Sequence, residues 1–400
     1  MAELPPKLKI HPPLINSASP WATTLDDLRR LYACPSTGAV TTRTSLIQGF
    51  DHDTSKHQYI FFEPSTHTAS TDCTTPGSST PPTASLNSLG YSPLPLETYL
   101  SFISTISAEQ EPPTGTDKFS SKGFIVSVTG SPDDIAASYK LIASAARHTH
   151  LPLAMEINLS CPNIPGRPPP AYSRDALATY LAALQHTLVT TAPTTDTTTV
   201  EPRGDSESAN KDRDRNSLPR IPVGLKTPPY THATEYEALM DALEAAAAAN
   251  GGACPVSFLT ATNTLGSCLV LAGDEAKAKA KVTESRQPKC DAGEEEEEER
   301  LSTLGHKAFA LPGPGLGGMA GAPLHPLALG NVCTLRRMLD QRGEKLGCHV
   351  QLVGVGGVLD AQAYRRMRAV GADVVGVATG LGLKGVGVFG EIQDGLGGRW

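Results

Sequence analysis

The chain has 400 residues, 19% of them charged, and 34 Lys and Arg stand against 41 Asp and Glu for a formal net charge of −7. With no basic block, this balance argues against nucleic acid or an anionic membrane as the main partner and favours a small-molecule ligand. The eight cysteines are scattered without a CxxC or a His/Cys pairing at metal spacing, so reduced, independent thiols are expected and no metal site is predicted.

The amino terminus, Met1-Ala-Glu-Leu-Pro-Pro-Lys7, has neither the apolar core of a signal peptide nor the Arg-rich pattern of a transit peptide. No stretch reaches the roughly 18 uninterrupted apolar residues of a membrane span, and a cytoplasmic protein is expected. The first apolar run, Pro13–Ile15, ends in Asn16-Ser17, and Thr24 caps a helix over Leu25–Tyr32. Ala39–Thr42 follows and ends in Arg43-Thr44. Residues 64–86, rich in Ser, Thr and Pro, read as a surface insertion ahead of Ser85-Leu-Asn87-Ser88-Leu89-Gly90-Tyr91. Phe124–Val128 carries Ser127, and Ser131-Pro132-Asp133-Asp134 opens a helix over Ile135–Arg147 with a cap, a first-turn proline and an acid.

Ala154–Asn158 has the character of a buried strand and runs into Ser160-Cys161-Pro-Asn163, a cluster of amides, a hydroxyl and a thiol. A helix over Asp175–Thr187 starts at Ser173, and residues 191–219 have too few apolar groups to order themselves. Val223–Lys226 and Val256–Thr262 end in Lys226-Thr227 and Asn263-Thr264. Residues 273–305 include the like-charged run Glu294 to Glu299, and all three insertions are expected to be disordered. Val350–Val353 ends in Gly354-Val-Gly356-Gly357, Asp360 caps a helix over Ala361–Val370, and Val374–Val377 ends in Ala378-Thr379.

Eight strand-helix repeats place the chain in the α/β class and favour one closed (β/α)8 TIM barrel over residues 1–400 rather than an open doubly wound sheet. All eight strand ends deliver polar or glycine-rich residues to the same face, where barrel enzymes hold their chemistry. Gly356, Gly357 and Thr379 follow the last two strands, the usual place for a phosphate in such barrels. Gly313-Pro-Gly315-Leu-Gly317-Gly318-Met-Ala-Gly321 is either a third backbone segment beside that ligand or a flexible loop. No GxGxxG opens the first unit, so a Rossmann site is not expected. Lys226 in an apolar barrel mouth implies an electron-rich partner. Asn87, Asn158, Asn163 and Asn263 each offer a donor and an acceptor, matching the N–H and C=O edge of a cyclic imide or ureide, and Arg43 suits a carboxylate.

Asn158-Leu-Ser-Cys161-Pro-Asn163 with Pro165-Gly166, Gly224-Leu-Lys226 with Pro228-Pro-Tyr230, Asn263-Thr-Leu-Gly266, Gly315-Leu-Gly317-Gly318-Met-Ala-Gly321 and Gly354-Val-Gly356-Gly357 resemble the class 1 dihydroorotate dehydrogenases. The similarity runs from about Pro13 to Ile392. It implies an FMN-containing barrel that oxidises dihydroorotate to orotate in pyrimidine biosynthesis, with fumarate as electron acceptor, in a cytosolic homodimer. By the same resemblance Cys161 is the base that takes the C5 proton while C6 gives hydride to the flavin.

Arg43, Asn87, Ser88, Leu89, Gly90, Asn158, Asn163, Asn263 and Thr264 would hold the substrate. Ala18, Arg43, Thr44, Ser127, Asn158, Lys226, Thr262, Gly321, Gly356, Gly357, Ala378 and Thr379 would hold FMN. Three positions depart from the family pattern: Arg43 stands for a Lys, Ala378 for a Gly and Ala18 for a Ser. The alternatives are a related flavin barrel acting on another dihydropyrimidine or ureide, and a weakly active flavin-binding scaffold.

Overall fold

The computed structural model describes residues 4–70, 81–110, 122–163, 168–192, 217–272 and 309–400. In chain order the strands are β1 (Leu14–Asn16), β2 (Ala39–Thr41), β3 (Tyr59–Glu63), β4 (Thr68–Ser70), β5 (Ala84–Asn87), β6 (Gly123–Val128) and β7 (Leu153–Asn158). They continue with β8 (Val223–Thr227), β9 (Phe258–Ala261), β10 (Leu265–Leu269), β11 (Leu316–Gly321), β12 (Gln351–Val355) and β13 (Val374–Val377). Eight of them, β1, β2, β6, β7, β8, β9, β12 and β13, close in that order into an all-parallel barrel. Each stave leads into a helix on the outside, from Leu25–Ala33 after β1 to Gly387–Leu396 after β13. The fold is the (β/α)8 barrel expected from the alternation of runs.

The helix starts were readable because the caps are made as the side chains suggest. Thr24 and Ser131 form reciprocal capping boxes with Asp27 and Asp134, and Ser173 and Asp360 accept from the Ala176 and Ala363 amides. Such caps are worth about 1 kcal/mol each.

Side-chain alternation sorts each stave into two faces. On β6, Phe124, Val126 and Val128 face the helix layer while Ile125 and Ser127 point inward; on β7, Met155 and Ile157 face out while Ala154, Glu156 and Asn158 point inward. Read from base to mouth, the interior therefore passes from apolar to polar. Leu8, Ile15, Ile125, Ala154 and Phe258 fill the base, and Glu156, Ser127, Asn158 and Lys226 lie above them. Gly224 is required at that junction, because a Cβ there would come within 2.2 Å of the Phe258 ring.

The remaining strands form a five-stranded sheet, in the order β10-β11-β5-β3-β4, with antiparallel pairing throughout. They come from the excursions that follow β2 and β9, so the sheet lies over the barrel mouth. Ile60, Phe62, Ala84, Leu86, Val270 and Leu311 give it a core of its own. Two expectations are corrected here. Residues 68–70 and 84–86, read as disordered insertion, are β4 and most of β5, because Ala84 and Leu86 alternate into that core. The Gly315–Gly321 segment is no loose loop, since β11 occupies Leu316–Gly321. Residues 71–80 of the first insertion, nearly all of the second (193–216) and the whole of the third lie outside the described residues, as do Pro165 and Gly166. Among the described residues no helix is long and apolar enough to cross a membrane, and no group of three His, Cys, Asp or Glu is placed to hold a metal.

Candidate active site

Between the barrel mouth and the sheet lies a cleft in two joined compartments. The larger, ≈ 740 Å³, is lined by Arg43, Thr44, Asn87, Leu89, Gly90, Asn158, Cys161, Asn163, Asn263 and Thr264 together with Ser85, Tyr91, Trp21 and Tyr59. The smaller, ≈ 440 Å³, is lined by Ser17, Thr262, Gly321, Gly356, Gly357 and Gly376. Ala18, Lys226, Asn263, Thr264, Ala320, Ala378 and Thr379 border both. Nearly every residue singled out from the sequence is thus brought to one place.

Two are not on the wall. Ser127 sits beneath it, where its hydroxyl donates to Glu156 Oε1 at 2.9 Å and meets Thr44 Oγ1 at 2.9 Å. Ser88, expected to touch substrate, turns to the segment leading into β3 instead: its hydroxyl donates to the Lys56 carbonyl at 2.7 Å and accepts from the Gln58 amide at 3.1 Å. The strand direction explains this, because Asn87 and Ser88 are consecutive on an extended backbone and face opposite ways.

The four asparagines spend much of their capacity on one another. Asn158 Nδ2 donates to Thr44 Oγ1 at 3.0 Å, and its Oδ1 accepts from the Ser160 amide (3.2 Å), the Ser160 hydroxyl (2.9 Å) and Asn263 Nδ2 (3.2 Å). Asn263 Nδ2 also reaches Ser160 Oγ at 3.0 Å, and its oxygen takes the Thr264 amide at 2.8 Å. Asn163 Nδ2 lies 3.0 Å from Asn87 Oδ1 and 2.9 Å from the Leu89 carbonyl, while Asn87 Nδ2 donates to the Gly318 carbonyl at 3.0 Å. What remains, among the described residues, is one N–H each on Asn87 and Asn158 and the Asn163 oxygen. Two donors and an acceptor complement an O=C–NH–C=O edge in kind.

Lys226 is buried, with 4% of its surface exposed, and among the described residues its ammonium hydrogen-bonds only the Ser17 hydroxyl, at 3.3 Å. Arg43 is buried as well; its guanidinium donates to the Tyr91 carbonyl at 3.1 Å, and burial pushes its pKa down. Neither cation has a carboxylate within ion-pair distance among the described residues, so two positive charges wait at the cleft for an electron-rich ligand. Cys161 stands half-buried on the wall of the larger compartment. Burial pushes its thiol up, and the Asn163 amide, Lys226 and Arg43 pull against that.

The smaller compartment fits the phosphate end of a flavin mononucleotide. Glycines with left-handed φ line it, Gly321 at +90°, Gly356 at +136° and Gly357 at +66°, and among the described residues the buried Thr262 hydroxyl has no partner. Behind the glycine loop, His325 Nδ1 lies 2.7 Å from the Gly356 carbonyl.

Sequence reasoning did not single out Ser17, Trp21, Tyr59, Ser85, Tyr91, Glu156 or His325 as site residues. Ser17 stood among the strand ends and Tyr91 beside Gly90, so a signal existed for both. Ser85 and Tyr59 required knowledge of the second sheet, in which Phe61 pairs with Ser85 and Tyr59 with Asn87. Trp21 stacks on Phe61 at 5.7 Å and meets Tyr59 edge-on at 5.5 Å, so the same sheet decides its place.

Residues 301–399 match the family model described as dihydroorotate dehydrogenase. The chain is 25% identical to the dihydroorotate dehydrogenase (fumarate) of Trypanosoma cruzi over 386 residues, 96% of this chain and 88% of that one. It is 24% identical over 316 residues to a putative dihydroorotate dehydrogenase A (fumarate) of Streptococcus uberis, covering 79% of this chain and 72% of the relative. Among solved structures, ligand-free DHODH from Eimeria tenella shares the fold with a TM-score of 0.57 at 17% identity, over 97% of this chain and 84% of that one. By its motifs and these matches, the chain is related to the fumarate-type dihydroorotate dehydrogenases.

Proposed function

We propose that the protein is an FMN-dependent oxidoreductase that converts dihydroorotate to orotate in pyrimidine biosynthesis. The observation that carries the reading is the placement of Cys161, the residual amide donors and the two unpaired cations around one cleft that continues into a glycine-lined compartment. The relatives' names support the same chemistry.

Bound FMN would supply a two-electron acceptor for hydride. Gly321, Gly356, Gly357, Ala378 and Thr379 would hold its phosphate. Lys226 would face the ring edge where negative charge gathers on reduction. Asn87, Asn158 and Asn163 would orient the pyrimidine ring, and Arg43 would hold its carboxylate through a guanidinium kept in place by Tyr91. Cys161 Sγ would take the C5 proton as the C6–H bond breaks on the opposite face. A general base contributes about 10²- to 10⁴-fold to such a step. The sheet over the mouth would limit the access of water to the reacting atoms.

Fumarate as the oxidant rests on the relatives' names, and the cytosolic homodimer rests on resemblance to class 1. The purified protein should absorb at about 450 nm, and anaerobic dihydroorotate should bleach that band. Fumarate should then restore it, in preference to a quinone or NAD. A colourless protein, or a flavin that dihydroorotate leaves oxidised, would sink the reading.

A further inference from the structure

We propose that His325, held by Arg366, is a positioning residue that aims the Gly357 N–H at the phosphate of the flavin; the inference rests on the flavin reading above. His325 opens the helix His325–Gln341 and is buried with 7% of its surface exposed. Its Nδ1 lies 2.7 Å from the Gly356 carbonyl oxygen, and Arg366 Nε donates to its Nε2 at 3.1 Å.

These two contacts fix the tautomer. A guanidinium N–H only donates, so Nε2 must offer a lone pair, and the ring proton sits on Nδ1, where it donates to Gly356. The ring is then neutral. Burial pushes its pKa down, the Gly356 carbonyl opposes this, and the Arg366 charge adds to the lowering.

The consequence for the cleft follows from peptide geometry. In a trans peptide the C=O of one residue and the N–H of the next point in opposite directions. His325 lies outside the wall of the smaller compartment and pulls the Gly356 carbonyl to its own side. The Gly357 N–H is therefore turned the other way, toward the compartment that Gly356 and Gly357 line. Among the described residues it donates to no protein acceptor, which leaves it for an anion. The packing is tight enough to hold this arrangement: a Cβ on Gly357 would fall 2.5 Å from His325 Cβ.

The test compares two ligands that differ only in the phosphate. The full chain, stripped of endogenous flavin, is titrated with FMN and with riboflavin by flavin fluorescence. In His325→Leu, FMN affinity should fall about tenfold, the worth of one charge-assisted hydrogen bond, while riboflavin affinity stays level. His325→Asn keeps a donor near the Nδ1 position and should recover most of the loss, and Arg366→Met should lose a few-fold for FMN alone. Equal losses for both flavins, or no loss in any variant, would overturn the proposal. If the unaltered chain binds neither flavin, the flavin reading has failed instead. Inorganic phosphate titrated against the same variants then decides: a loss in His325→Leu that His325→Asn restores upholds the positioning role, and equal affinities end it.

Discussion

The barrel and the sheet above it line one cleft but are held together differently. The barrel is buried between two apolar layers, with residues such as Val126 and Met155 on its outer face and Ile125 and Ala154 on its inner face, all 3% exposed or less. The sheet rests on six core side chains and a few polar ties to the rim, among them Ser85 Oγ to Thr379 Oγ1 at 3.0 Å. Yet the sheet presents Asn87, Ser85, Ala320 and Gly321 to the ligand. The barrel sets the positions of Cys161 and the two cations, and the sheet, with its smaller core, closes the cleft over them. A part that must admit and release ligand belongs at the low-stability end of a structure.

The largest effect is expected from the chemistry on the barrel side. Cys161→Ala should slow flavin reduction by dihydroorotate about 10²- to 10⁴-fold with FMN content unchanged, in stopped-flow absorbance. Because burial holds the Cys161 thiol above its ordinary range, the thiolate is scarce at neutral pH. The reduction rate of the unaltered enzyme should thus climb with pH and continue past about 8.5, the value for a free thiol. A plateau well below that pH would assign the base elsewhere.

Next come paired truncations in the two cores. Leu259→Ala, on a barrel stave, should lower global stability by about 2–5 kcal/mol in denaturant unfolding. Leu86→Ala, in the sheet, should cost less globally and show instead as faster amide exchange in β3 and β5 with weaker orotate binding. Equal global losses would mean that barrel and sheet unfold as one unit. Asn87→Ala removes a sheet donor and leaves Asn163 without its 3.0 Å partner, so orotate affinity should fall by about 1–3 kcal/mol in calorimetry. Ser85→Ala, which cuts one tie between sheet and rim, should cost about 1 kcal/mol.

The same contrast governs what the amino-acid sequence revealed. All eight staves could be read, because each is a short buried run, and four of them lead into helices whose caps at Thr24, Ser131, Ser173 and Asp360 formed as their residue types suggest. The cleft residues at strand ends followed from that reading. The sheet escaped it. Its central pairing joins β5 to β11 across more than two hundred residues, as Ser85 does with Ala320 and Asn87 with Gly318, and no local period records a pairing of that span. Glycine-rich β11 looks like a loop, although Gly317 and Gly318 are there because a Cβ would strike the Asn87 carbonyl or the Thr264 hydroxyl. Ser88 was misplaced for a related reason: without the strand, its outward direction was invisible.

The most direct test of the central claim is a single anaerobic turnover. Dihydroorotate is mixed with the FMN-bound protein and with Cys161→Ser, and the flavin band is followed while bound orotate is measured separately. Prompt bleaching is expected in the first, slowing of at least about tenfold in the second, and the same orotate affinity in both, since a hydroxyl gives up its proton far less readily than a thiol. Equal rates in the two proteins would contradict that claim.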